Sequence, residues 1–122
     1  MVKALFDTCI LIDYLNGIES AKKEIELFDD KAISAITWME VMVGDDKKSI
    51  APVEHWLSQT FKLIAIDQAV SIKAVEIRKQ NRIKLPDAII QATAIVTESL
   101  LITRNTRDFS ESDPSIRIPY KI

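Results

Sequence analysis

Cysteine and histidine are nearly missing from this chain of 122 residues, which holds one of each. A lone Cys9 excludes an intrachain disulfide framework and a cysteine-built zinc site. A lone His55 excludes a metal-free ribonuclease with paired histidines and a histidine-rich zinc hydrolase. A Ser-His-Asp triad would have to use it, and within Val53-Glu54-His55-Trp56-Leu57 it reads as a partly exposed helix residue. No apolar run approaches the roughly 18 residues that cross a bilayer, and the start, Met1-Val2-Lys3-Ala4-Leu5-Phe6-Asp7, lacks signal-peptide anatomy. The expectation is a reducing, cytoplasmic compartment and no membrane partner. An excess of positive charge is missing as well. Sixteen basic against 18 acidic residues leave a net charge of −2, whereas nucleic-acid binders are usually basic.

What is present is apolar and ordered. Hydrophobic residues make up 48% of the chain, which argues for a globular fold over disorder. The length suits a single domain over 1–122 with one core and no staples. Short apolar runs at 2–6, 32–36, 61–66, 99–103 and 116–120 read as strands. Helical stretches fall at 9–15, 19–28, 37–43, 50–60, 68–81 and 86–97. Asn16-Gly17 marks a helix end, and residues 45–48 form a polar turn. Val53, Trp56 and Leu57 face inward on one helix, and Val70, Ala74 and Ile77 on another. Strands alternating with helices predict an α/β fold with a parallel sheet covered on both faces.

Four acids stand where strand gives way to helix or loop. They are Asp7, Glu40, Asp87 and Asp108. Loops after the carboxyl ends of parallel strands line one crevice, and acids gathered there cannot all stay ionised without a cation. Hard oxygen donors of this kind suit Mg²⁺ or Mn²⁺. Each acid also has an ordinary account. Asp7 fits a helix N-cap, Thr37 and Glu40 a capping box, Asp87 a first helical turn after Pro86, and Asp108 the cap of a short turn. Asp67 shows the same strand-then-acid pattern and is read as a cap only. Asp13 is read as a solvated helix-face residue. Two basic clusters, Arg78 to Lys84 and Arg104 with Arg107, lie next to the acids, where phosphates need complementary charge, and the first also reads as a solvated helix end. Trp38 and Met42, spaced i,i+4 with Val41 and Val43 beside them, are core or a partner surface, and Ile72, Val75 and Ile77 pose the same choice.

Taken together, Phe6-Asp7-Thr8-Cys9-Ile10-Leu11-Ile12-Asp13, Ile36-Thr37-Trp38-Met39-Glu40-Val41-Met42-Val43-Gly44, Pro86-Asp87-Ala88-Ile89-Ile90-Gln91-Ala92-Thr93-Ala94 and Leu101-Ile102-Thr103-Arg104-Asn105-Thr106-Arg107-Asp108-Phe109 resemble, in order, the signatures of PIN-domain nucleases, most of all VapC-type toxins. The resemblance spans nearly the whole chain. It implies a three-layer PIN-like sandwich around a five-stranded parallel sheet in the order 3-2-1-4-5, with Asp67 on the edge strand away from the site. Asp7, Glu40 and Asp87 match the first three family acids. At the fourth, many members carry Asp where this chain has Asn105, so Asn105 is expected to offer a neutral oxygen and Asp108 the charge.

The resemblance implies an endoribonuclease that holds one or two Mg²⁺ or Mn²⁺ ions through Asp7, Glu40, Asp87, Asn105 and Asp108. Thr8 and Thr103 are candidate hydroxyl donors at the site. Arg82, Lys84, Arg104 and Arg107 are candidate phosphate contacts on the RNA. A VapB-type antitoxin and a homodimer built on helical surfaces are the implied partners. Two rivals stand beside this reading. A Mg²⁺-binding receiver-type signalling module needs a lysine after a later strand, where this chain has Thr103-Arg104-Asn105. A PIN nuclease of RNA maturation or DNA processing usually carries extra domains.

Overall fold

The computed structural model describes residues 2–44 and 50–122. The elements run β1 (Lys3–Phe6), α1 (Thr8–Leu15), α2 (Glu19–Leu27), β2 (Asp30–Ser34), α3 (Ala35–Gly44), α4 (Ile50–Thr60), β3 (Lys62–Ile64), α5 (Gln68–Asn81), α6 (Leu85–Val96), β4 (Leu100–Ile102) and β5 (Ile116–Arg117). All four strand pairings are parallel, in the order β3-β2-β1-β4-β5. The expected topology is therefore observed.

Because side chains alternate across a strand, adjacent residues of β1 serve different cores. Leu5, level with Ala32 and Leu101, packs with Val70, Ala74 and Ile77 of α5 and Ala88 and Ala92 of α6. Ala4 and Phe6 join Ile33 and Ile102 on the other face, against Ile10, Leu11, Ala21, Val41 and Leu57. Phe6 is fully buried and meets the rings of Phe28 and Phe61 edge-on. Truncating such a ring costs about 3–5 kcal/mol. Small residues keep α6 close to the sheet, since Ala88, Ala92 and Ala94 are all buried. Among the described residues, no helix is long and apolar enough to cross a membrane.

Local rules account for most boundaries. Asp7 caps α1 by accepting from Thr8 N at 2.7 Å, and Asp67 caps α5 by accepting from Val70 N at 2.9 Å. Gly17, at φ +82°, follows the C-cap Asn16 of α1 and carries the turn into α2. The edge strands β3 and β5 are shorter than their apolar runs, because each has a partner on one side only. The polar turn expected at 45–48 lies outside the described residues.

Three expectations need correction. The capping box at Thr37 and Glu40 does not form. Strand β2 ends at Ser34, whose Oγ accepts from Ile36 N, so α3 starts earlier and Thr37 is inside it. Asp108 does not cap its turn; Asn105 does, accepting from Arg107 N and Asp108 N. Asp13 is not solvated. It is 4% exposed and accepts both Arg104 Nη2, at 2.9 Å, and Tyr120 Oη, at 2.8 Å, besides Arg104 Nε.

Candidate active site

The sheet order reverses at β1, whose neighbours are β2 and β4. At such a switch point the connections leave the carboxyl ends of the two central strands in opposite directions and open a crevice. Here the crevice is an open cleft of about 700 Å³ lined by Asp7, Thr8, Cys9, Glu40, Lys84, Asp87, Arg104, Asn105, Thr106, Arg107 and Asp108. All four acids singled out from the sequence line it, each brought by a different element. Asp7 comes from the β1–α1 junction, Glu40 from α3, Asp87 from the first turn of α6 and Asp108 from the loop after β4. Asp67 does not line it.

Asp7 is the deepest acid, 4% exposed. Its Oδ1 accepts from Thr8 N and its Oδ2 from Thr103 Oγ1, both at 2.7 Å. Burial holds its carboxyl above the usual carboxylate range against those hydrogen bonds, and Glu40 adds to the rise. Asp87 is pushed up to about 7 by burial, then by the charge of Asp7 and by the hydrogen bond and charge of Asp108. The start of helix α6 favours negative charge, yet this does not offset the crowding. The acids therefore form one cluster short of positive charge.

The two candidate hydroxyl donors, Thr8 and Thr103, both donate to acids of the site. Thr8 Oγ1 donates to Glu40 Oε1 at 2.7 Å and lies 3.1 Å from the Thr37 hydroxyl. Thr103 is fully buried, donates to Asp7 and accepts from Asn105 N, so it does not reach the cleft. Asn105 lines the cleft. Its Oδ1 receives two backbone N–H groups, and its Nδ2 donates to Asp108 Oδ2 at 3.0 Å. It holds Asp108 in place. Arg104 lines the cleft with its Nε and Nη2 committed to Asp13, which leaves Nη1 outside that fork. Lys84 and Arg107 line the cleft, and Arg82 does not.

Sequence reasoning missed Thr37, fully buried behind Thr8, and Tyr120, which completes the Asp13 cluster. It also gave Cys9 no place. The thiol lies 3.7 Å from Asp7 Oδ2 and 3.6 Å from Thr103 Oγ1, and burial followed by the Asp7 charge pushes it up to about 11. Such a thiol stays protonated and inert at neutral pH.

Among the described residues, no three acidic, histidine or cysteine side chains close into a ready-made metal cage. A hard divalent cation does not require one. Mg²⁺ keeps several of its waters and takes one or two carboxylates directly. An all-oxygen set with a surplus of negative charge fits it.

Known proteins share this frame. The PIN domain family matches residues 4–113. Ribonuclease VapC1 of Methanocaldococcus jannaschii is 30% identical over 112 residues, which cover 88% of this chain and 79% of that protein. A chain of a toxin–antitoxin complex from Klebsiella pneumoniae superposes with a TM-score of 0.89 at 45% identity, covering 98% of this chain and all of that one. A chain of DNA-bound VapBC from Salmonella typhimurium gives 0.77 at 27% identity, over 97% of each. With the family matched over most of its length and the sheet order in agreement, the chain belongs to the PIN-domain family, among its VapC ribonucleases.

Proposed function

We propose that this protein is a metal-dependent endoribonuclease acting as the toxin of a toxin–antitoxin pair. The observation that carries the reading is the convergence of Asp7, Glu40, Asp87 and Asp108 in one cleft, with Asp87 pushed up to about 7 by burial and by the neighbouring carboxylates. The four carboxylates are the residues that would hold one or two Mg²⁺ or Mn²⁺ ions. When bound, such an ion supplies Lewis-acid polarisation of the phosphodiester and acidifies water.

The chain's own side chains set the stage for that chemistry. Thr103 and Thr8 N fix both oxygens of Asp7, Thr8 Oγ1 fixes Glu40, and Asn105 fixes Asp108. Each carboxylate oxygen retains a second lone pair for an ion. Lys84, Arg107 and the Nη1 of Arg104 offer positive charge to phosphates beside the scissile one. Hydrolysis of this kind does not use the 2′-hydroxyl, so it leaves a 5′-phosphate and a 3′-hydroxyl.

The similar proteins solved as toxin–antitoxin complexes support a VapB-type antitoxin as partner. A basic antitoxin side chain entering the acidic cleft is the inhibitory contact that its charge favours. A two-fold homodimer through helical surfaces is supported by Ile72 and Val75 on α5, 55% and 49% exposed.

The test is cleavage of RNA by the purified protein with end-group analysis. EDTA abolishes cleavage, Mg²⁺ or Mn²⁺ restores it, and the new ends carry 5′-phosphate. Cleavage that persists in EDTA and leaves 2′,3′-cyclic phosphates overturns the reading.

A further inference from the structure

A second groove opens beside the carboxylate cleft. It is about 480 Å³ in volume and is lined by Asn81, Arg82, Arg107, Asp108 and Asp113 among others. Arg107 and Asp108 line both spaces, so the groove continues the cleft past the fourth acid toward the end of α5 and the start of β5. Among the described residues, neither Arg82 nor Arg107 makes a salt bridge. This sets them apart from Arg104 and Arg117, which are forked onto Asp13 and Glu24. The carboxylate of Asp113 is turned to Ser115, accepting from its N at 2.9 Å and its Oγ at 2.6 Å.

The backbone under Arg82 adds an independent observation. Arg82 sits at the C-cap of α5 with φ +56°, in the left-handed region. Glycine is the usual occupant there, and a side chain pays a steric penalty. A long cation occupies a position that would favour having no side chain at all, and it lines the groove.

We infer that Arg82 and Arg107 form a phosphodiester subsite for single-stranded RNA. The strand leaves the carboxylate cleft past Asp108 and lays a flanking backbone phosphate between Arg82 and Arg107. The inference rests on the endoribonuclease reading for the direction of the strand, but the subsite can be tested without cleavage. Phosphate contacts are independent of base identity, so oligouridylate serves as probe.

Binding is measured by fluorescence anisotropy with Mg²⁺ present, in an Asp7→Asn background that spares the probe. Arg82→Gly and Arg107→Ala are each compared with that background, on a long oligouridylate and on a trinucleotide too short to extend beyond the cleft. Arg82→Gly relaxes the backbone, so it retains the fold. Each variant is expected to bind the long probe several-fold more weakly. The slope of log affinity against log salt should shrink by about 0.7 per arginine lost. Trinucleotide binding should be unchanged in Arg82→Gly, whose arginine does not line the cleft, and Arg82→Lys should retain most of the long-probe affinity. Unchanged affinity and slope in both variants, or an equal loss on the trinucleotide in Arg82→Gly, overturns the subsite. A separate cleavage assay with Asp7 intact keeps the two ideas apart. Arginine-dependent binding without cleavage sinks the nuclease reading alone, and cleavage with arginine-independent binding sinks the subsite alone.

Discussion

Burial and neighbouring carboxylates hold the proton on Asp87 well above the usual carboxylate range. An unfolded aspartate loses its proton near pH 4, whereas in the metal-free native protein Asp87 keeps it up to about 7. Between those values the native state binds more protons than the unfolded state, so stability falls as pH rises. Asp7, also raised, acts in the same direction. The denaturant midpoint of the metal-free protein should therefore drop from pH 4 to pH 7, and Asp87→Asn should flatten the drop. A midpoint insensitive to pH across that window would contradict the coupling. In RNA cleavage, Asp7→Asn and Asp87→Asn should each abolish metal-restored activity while circular dichroism reports an intact fold. Asp67→Asn should cleave as wild type and lose little stability, because asparagine caps a helix about as well as aspartate. Inactive Asp67→Asn protein would place the site elsewhere on the sheet.

At the scale of elements, the cluster of Asp13, Arg104 and Tyr120 ties α1 to the loop after β4 and to the segment beyond β5. Burial alone would raise the Asp13 carboxyl, but the Arg104 and Tyr120 hydrogen bonds outweigh it and hold it below its ordinary value. Removing the Tyr120 hydroxyl in Tyr120→Phe should cost about 1.5–3 kcal/mol, the range for a hydrogen bond to a charged group, read from urea denaturation. A cost below the error of that measurement would show that the hydroxyl is idle. The sequence could not reveal this cluster. Asp13 meets partners 91 and 107 positions away, and an i,i+4 view of α1 shows an acid among apolar neighbours and nothing to pair it. Helix α5 was legible for the opposite reason, since Val70, Ala74 and Ile77 repeat at helical spacing and all face the sheet. The capping box misled because Thr37 and Glu40 have the right spacing, while Glu40 is engaged by Thr8 of another helix. The four acids were found by their places after strands. Which of their neighbours would be occupied, as Thr103 and Asn105 are, depends on turns too local and too crowded to infer from residue type.

Over the whole molecule, the surplus of carboxylate in one cleft would make a bound divalent cation a stabilising ligand. Binding to the native state alone adds RT ln(1 + [L]/Kd), about 2.7 kcal/mol at a hundredfold excess over Kd. Thermal melts should shift upward with Mg²⁺ in the wild type and less in Asp87→Asn, which should itself melt higher than wild type in EDTA. Identical melts with and without the ion, at a concentration that saturates cleavage, would show that the acids are not one coupled site. The apolar α5 surface makes a separate prediction. Ile72→Glu combined with Val75→Glu should turn a dimer into a monomer in sedimentation analysis, and an unchanged sedimentation coefficient would remove α5 from the interface.

The position of the cleft between β1 and β4 also bears on how the protein is made. Asp7 leaves the ribosome well before β4 is made, but it faces Thr103 and shares its cleft with Asp108. Strand β4 must join β1 before those groups meet. With synthesis at about 5–20 residues per second, the growing chain spends several seconds with its acids dispersed and harmless. A potential poison thus stays silent until β4 has been made, and a partner made alongside it has that interval in which to be ready.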